Sequence, residues 1–366
     1  MTSPLADLIR AEIGQHGAIP FARFMELALY HPEHGYYERG PANVGRRGDF
    51  YTSVSVGPLF GELLAGQFAQ WAESGVRSQE SGAAFQIVEA GAHDGRLAAD
   101  ILRWFRQWQP ALFARIEYWI VEPSLRRQEW QRETLAEFAS QVRWLAGLPA
   151  DPSAGQFRGV LFANELLDAF PVHRLGWDAR AREWFEWGVG VRDGSLVWKR
   201  MEARPAPAGF PLPDALLAVL PDGFILETCP AATVWWEAAA RCLQSGRLLT
   251  FDYGLTAEEF LSPARAGGTL RAYHQHHQSA DLLAQPGEQD LTAHVNFTAL
   301  QAAGERAGLR TEGLFSQTQF LTRIAEASWR TPTHGAAWDS VRARQFQTLT
   351  HPQHLGRAFR VLVQTR

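Results

Sequence analysis

The stretch FQIVEAGAHDGRLAADIL, residues 85–102, decides the fold. An apolar run (Phe85, Ile87, Val88) ends in an acid, Glu89, and a glycine-punctuated turn follows, Gly91-Ala92-His93-Asp94-Gly95. Leu97, Ile101 and Leu102 then recur at helical spacing. Strand, tight turn and helix form the opening unit of a nucleotide-binding α/β sheet. The turn is not a dinucleotide fingerprint. Counting G-x-G-x-x-G from Gly91 puts His93 and Arg96 where the second and third glycines must stand. No G-x-x-x-x-G-K-[ST] phosphate cradle stands here either.

An acid closing the first strand and a short glycine turn suit S-adenosylmethionine instead. That ligand has no phosphate, and a carboxylate near its cationic sulfonium and zwitterionic tail is acceptable or useful. On this reading Glu89, Gly91, His93 and Gly95 bind the cofactor; the alternative is an ordinary βα turn. The second apolar run, IEYWIV at 116–121, ends in Glu122-Pro123-Ser124. An acid at that position is placed to hydrogen-bond ribose hydroxyls. It also suits a helix N-terminus on dipole grounds alone.

The 366 residues, 46% hydrophobic and 20% charged, allow a full core with a sizeable insertion. A formal net charge of −4 argues against a nucleic-acid surface built on bulk charge. Two cysteines, Cys229 and Cys242, make no disulfide scaffold. The first residues resemble neither a signal nor a transit peptide, and no apolar run is long enough to span a membrane. A soluble cytoplasmic protein is the expectation.

Helices are expected at Leu5–Ile13, Phe21–Leu29 and Gly57–Trp71, separated by a polar Gly-rich loop. Core strands are expected at 85–90, 116–122, 141–145, 159–163, 247–251, 309–315 and 359–363, with helices at 231–243, 297–307 and 339–349. Residues 170–230 read as an antiparallel insertion and 261–294 as loop. This makes an α/β fold: a seven-stranded Rossmann-like sheet of the class I methyltransferase type, helices on both faces, the last pair of strands antiparallel. Residues 1–75 form a helical N-terminal region whose loop covers the site, and 76–366 the main domain. The strand ends carry Glu89, Glu122, Asn164-Glu165-Asp168 and Asp252-Tyr253, an accumulation that favours one crevice.

An ordered series of segments then resembles the mitochondrial dysfunction protein A (MidA) family of class I methyltransferases. The matching stretches include FMELALYHPEHGYY at 24–37, GRRGDFYTS at 45–53, EAGAHDGRLAADIL at 89–102, NELLDAFPVHR at 164–174, TFDYG at 250–254 and PGEQDLTAHVNF at 286–297. Mitochondrial members of that family are complex I assembly factors that methylate protein arginine. The resemblance therefore implies S-adenosylmethionine as cofactor and a protein substrate, with a respiratory-complex subunit as the family's example. A homodimer stays open, and neither nucleic acid nor membrane insertion is expected. The alternatives are a small-molecule methyltransferase and a non-catalytic assembly factor on the same fold. Two departures stand out. The family usually has glycine at His93, a replacement tolerable with a negative φ, and Pro-Glu at Val54-Ser55.

Methyl transfer needs an acceptor held in line with the sulfonium at about 3–3.5 Å. A guanidinium acceptor is cationic and almost impossible to deprotonate in water, so carboxylates must hold its fork and take its proton. Glu165 and Asp168 are the expected clamp, sharing a face if the loop is one helical turn; structural acids are the alternative. His173 is the candidate base, although a lone His beside apolar residues is more often structural. Asn164, Asp49, Thr52 and Ser53 are expected around the cofactor, Asp290, Thr292 and His294 on a substrate wall, and Asp252-Tyr253 on the pocket floor. The His274–His277 cluster lacks paired ligands, so no metal is expected. Cys229 is assigned to packing.

Overall fold

The computed structural model describes residues 3–40, 52–76, 84–149, 157–274, 277–330, 338–352 and 355–366. In chain order the main elements are α1 (Pro4–His16), α2 (Phe21–Tyr30), α3 (Leu59–Val76), β1 (Phe85–Ala90), α4 (Arg96–Trp108), β2 (Ile116–Val121), α5 (Leu125–Thr134), β3 (Val142–Leu145) and β4 (Phe157–Asn164). Next come β5 (His173–Asp178), β6 (Glu183–Arg192), β7 (Ser195–Arg204), β8 (Ile225–Thr228), α6 (Pro230–Cys242) and β9 (Leu243–Leu255). The chain continues with β10 (Arg271–His274), β11 (His277–Ser279), β12 (Asp290–Thr292), α7 (Phe297–Arg306), β13 (Arg310–Ser316), α8 (Gln317–Arg330), α9 (Ser340–Thr350) and β14 (Phe359–Thr365).

Among the described residues the main sheet has eight strands: seven run in the order β13-β14-β9-β4-β1-β2-β3, and the two-residue strand Val295–Asn296 pairs parallel with the end of β9. All neighbours are parallel except those of β14, which is antiparallel to both β9 and β13. Alternation along each strand feeds two cores, because successive side chains point to opposite faces. Ile87, Phe162 and Leu249 pack against Phe60, Leu64 and Phe68 of α3 and Ile101 of α4. Their neighbours Val88, Leu161 and Leu248 pack against Trp236 of α6 and Leu300 of α7. The winding of the sheet reverses between β1 and β4, the switch point at which such sheets bind ligands. Ala90 pairs with Ala163 there, so the turn after β1 and Asn164 emerge side by side.

A second antiparallel sheet pairs β6 with β5 and β7, and β5 with β8. Ile19–Pro20 joins its edge, Ile19 opposite Val189. Leu5, Ile9, Phe21 and Phe24 of the N-terminal helices share a core with Val172, Val189 and Leu291. The N-terminal segment is thereby fixed over the carboxyl ends of the main sheet.

The stretch expected as loop at 261–294 contains the small sheet β11-β10-β12. Its strands are three or four residues long, too short for alternation to show. Helix α8 also escaped the sequence reading, although Phe320, Leu321, Ile324 and Ala325 bury one face of it. Among the described residues no helix is long and apolar enough to cross a membrane.

Candidate functional site

A cleft of about 590 Å³ opens at the carboxyl ends of β1, β2 and β4. One end is built on the glycine turn. Gly91 has φ 73°, and a Cβ there would stand 2.8 Å from Leu166 Cδ1, so both the backbone angle and the space require glycine. His93 has φ 47°. The condition under which a His is tolerable here, a negative φ, is not met: the backbone is left-handed, and the His carries a cost of about 1 kcal/mol there. Gln131 steadies it by donating from Nε2 to His93 O at 3.0 Å.

Glu89 is buried at the end of β1 and accepts from Tyr118 Oη at 2.6 Å. Burial pushes its carboxyl up to about 7. Glu122 is also buried. Its Oε1 accepts from Ser124 N at 3.0 Å and from Arg127 Nε at 2.9 Å, while Oε2 accepts from Gln131 Nε2 at 3.3 Å. A carboxylate oxygen holds more than one acceptor site, so Oε2 has capacity left.

The other end is acidic. Glu165 follows β4 with φ 51°, a second non-glycine residue in left-handed backbone, pinned by its N–H donating to Phe251 O at 2.8 Å. Its Oε1 accepts from Ser53 N and from Asn164 Nδ2, both at 3.2 Å. Its Oε2 and Asn164 Oδ1 are buried with no partner among the described residues. Burial, then the nearby Asp168, push the Glu165 carboxyl up to about 8. Asp168 is raised well above the usual range by burial and by Asp252 and Asp290. Asp252, raised to about 7 by burial, holds the chain between the first two by accepting from Leu166 N at 3.3 Å and Leu167 N at 2.8 Å. The segment is therefore a bend and not a helical turn, the geometry under which the two acids would share a face, yet Glu165 and Asp168 both line the cleft. Strain of this kind persists where the surroundings over-determine it, commonly at functional sites.

The N-terminal segment closes the acidic end. Tyr30 donates to Ala169 O at 2.9 Å and Tyr37 to Asp290 Oδ1 at 2.7 Å. Their hydroxyls are thus engaged, and their rings, 5.5 Å apart, line the cleft.

Of the residues singled out in the sequence, Glu89, Gly91, His93, Glu122, Asn164, Glu165, Asp168 and Thr52 line this cleft. Gly95 (φ 84°) caps α4 and shapes the turn from behind. Ser53 is buried, donates from Oγ to Gln317 Oε1 at 3.1 Å and positions Glu165 through its N–H. Thr52 and Ser55 form a reciprocal cap on the turn Ser53–Val56, so Ser55 does the work a glutamate does in such boxes, and the Val54-Ser55 departure leaves the turn intact. Asp49 lies outside the described residues. His173 is a correction: it opens β5 in the second sheet, outside the cleft, with Nδ1 2.6 Å from Glu186 Oε1. Asp290 sits behind the wall, and Thr292 and His294 do not line the cleft. Asp252 anchors the bend, and Tyr253 packs on Phe359. The sequence reading missed Tyr30, Tyr37, Arg127, Gln131 and Trp235. Arg127 and Gln131, four apart on the helix after Glu122, were the available signal.

Comparison with known proteins agrees with this geometry. The family model described as "Putative S-adenosyl-L-methionine-dependent methyltransferase" matches residues 63–315. A Drosophila melanogaster protein, the mitochondrial protein arginine methyltransferase NDUFAF7 homolog, is 30% identical over 98% of this chain and 84% of its own length. The mitochondrial NDUFAF7 of Rattus norvegicus is 29% identical over 98% of the chain and 83% of its own length. A crystal structure from Burkholderia thailandensis, described as a "likely methyl transferase" bound to S-adenosyl-homocysteine, superposes with TM-score 0.83 at 34% identity, covering 99% of this chain and 92% of that one. The relatives' mitochondrial assignment overturns the expectation of a cytoplasmic protein.

Proposed function

The chain belongs to the S-adenosyl-L-methionine-dependent methyltransferase family, and from that premise we propose that it methylates arginine side chains of a protein. S-adenosyl-L-methionine is its cofactor, and when bound supplies an electrophilic methyl group. The residues present fit it: Glu122 has acceptor capacity for ribose hydroxyls, Asn164 Oδ1 is a buried acceptor without a partner among the described residues, and Val121, Ala146 and Leu148 offer an apolar wall. Glu89 sets a carboxylate beside the turn, where positive charge is welcome.

The observation that carries the arginine reading is Glu165 Oε2, a buried carboxyl oxygen without a partner among the described residues, beside a second carboxyl. Such a pair is costly unless a cation arrives. A guanidinium satisfies it, since its planar fork matches carboxylates and each pair is charge-assisted. The rings of Tyr30 and Tyr37 suit the cation's flat faces. The raised Glu165 carboxyl holds its proton in the free protein at neutral pH, and the arriving guanidinium lowers it toward the ionised form that can accept the proton the acceptor nitrogen must shed. Asp168 completes the clamp, and Asp252 keeps the bend that presents both.

Subunits of respiratory complexes are the first substrates to examine. Purified protein is incubated with cofactor and a cell lysate, and methylated peptides are mapped by mass spectrometry. Arginine marks that disappear with Glu165→Ala, while S-adenosylhomocysteine still binds, support the proposal. A methylated metabolite without protein arginine marks overturns it.

A further inference from the structure

The turn Tyr36–Glu38 belongs to the N-terminal segment, yet it reaches the cofactor end of the cleft. Glu38 is buried and its two oxygens are both used. Oε1 accepts from Arg127 Nη1 at 3.1 Å and Oε2 from Ser124 Oγ at 2.8 Å. The same Arg127 gives Nε and Nη2 to Glu122 Oε1, at 2.9 and 2.8 Å. Ser124 in turn donates its backbone N–H to that oxygen, and its hydroxyl accepts from Arg127 N as the cap of α5. The side chains are 2% (Glu122), 9% (Glu38) and 11% (Arg127) exposed, so these charges cannot rely on water.

We propose that Glu38 is a positioning residue for the cofactor: by holding the third nitrogen of Arg127 it keeps the guanidinium on one oxygen of Glu122 and leaves the other, which accepts from Gln131 Nε2, with an acceptor site for the ribose. An arginine facing a single carboxylate prefers to grip both of its oxygens. Glu38 holds Nη1, so the guanidinium cannot swing its Nη1–Nη2 edge onto both oxygens, while Gln131 Nε2 stands on Oε2 beside the Nε–Nη2 edge. Two carboxylates around one guanidinium also leave the group with acceptor capacity in excess, which suits the donor hydroxyls of a ribose diol. The N-terminal segment thus serves the cofactor as well as the acceptor wall. The inference rests on the cofactor assignment and is independent of the acceptor being arginine.

The test is calorimetric titration of the full chain with S-adenosylhomocysteine and with its 2′-deoxy analogue. Glu38→Gln is expected to weaken S-adenosylhomocysteine about tenfold, roughly one hydrogen bond to a charged group. It should also shrink the penalty for the missing hydroxyl, a ratio that general loosening of the fold does not alter. Arg39→Gln, which removes surface contacts to Gly287 and Glu288 from the same segment, is expected to leave both unchanged. Glu38→Asp, which keeps the charge but shortens the reach, should fall between. Binding of Glu38→Gln within twofold of wild type, or equal weakening by Arg39→Gln, overturns the proposal. Should Glu38→Gln not fold, Glu38→Asp decides, and wild-type affinity with an unchanged hydroxyl penalty overturns it. A wild-type protein that does not bind S-adenosylhomocysteine refutes the cofactor assignment instead.

Discussion

Replacing Glu165 by Gln removes one proton-binding site while keeping the shape that accepts from Ser53 N and Asn164 Nδ2. In the folded protein the Glu165 carboxyl titrates near 8, against 4.5 as the ordinary value that the unfolded chain recovers. The folded state therefore binds more protons than the unfolded one between these two limits. Stability from this group is fully present below pH 4.5 and is lost as pH rises through 8. Each pH step of one costs about 1.4 kcal/mol. Between pH 6 and pH 9 the loss accrues only up to about 8, so wild type should lose up to about 3 kcal/mol relative to Glu165→Gln. Asp168 and Asp252 titrate in the same burial and share part of that effect, which makes the figure a ceiling for Glu165 alone. Urea unfolding at the two pH values, in cofactor-free protein, gives the difference directly. A gap between wild type and Glu165→Gln that does not change with pH would refute the account of a buried, uncompensated carboxyl.

Gly91→Ala should destabilise by about 1–2 kcal/mol and weaken S-adenosylhomocysteine binding, because it meets both a φ of 73° and the Leu166 side chain; denaturant unfolding and calorimetry read the two effects. His93→Gly should stabilise by no more than about 0.5 kcal/mol, the relief of left-handed strain less the added freedom of the unfolded chain, as read by the urea midpoint. Tyr118→Phe removes the donor to Glu89 and should cost about 1–3 kcal/mol, most where the carboxyl is ionised above pH 7, so melting curves should separate further from wild type as pH rises.

Much of this architecture was legible because the main strands are buried on both faces and read as continuous apolar runs. Residues 85–90, 116–121 and 359–365 are of that kind. The acids that close the first two, Glu89 and Glu122, were legible for the same reason, since a charge that stops an apolar run marks a strand's mouth. Side-chain partnerships were not. His173 follows the Asn164–Asp168 segment closely in sequence, but the chain turns there into the second sheet and carries it to Glu186. The left-handed angles at His93 and Glu165 come from the close approach of β1, β4 and β9, which no local pattern encodes. Tyr30 and Tyr37 stood within a recognised segment, yet their place in the cleft depends on packing against elements more than a hundred residues away.

The pairing of Ile19 with Val189 has a consequence for how the protein is made. During synthesis the N-terminal helices emerge about 170 residues before the strand that receives them. At ~5–20 residues per second this leaves Leu5, Ile9, Phe21 and Phe24 without their partner for roughly 10–30 s. The apolar face of that segment is thus on offer to chaperones for longer than most of the chain, and the cofactor turn is synthesised before the acceptor wall has anything to lean on.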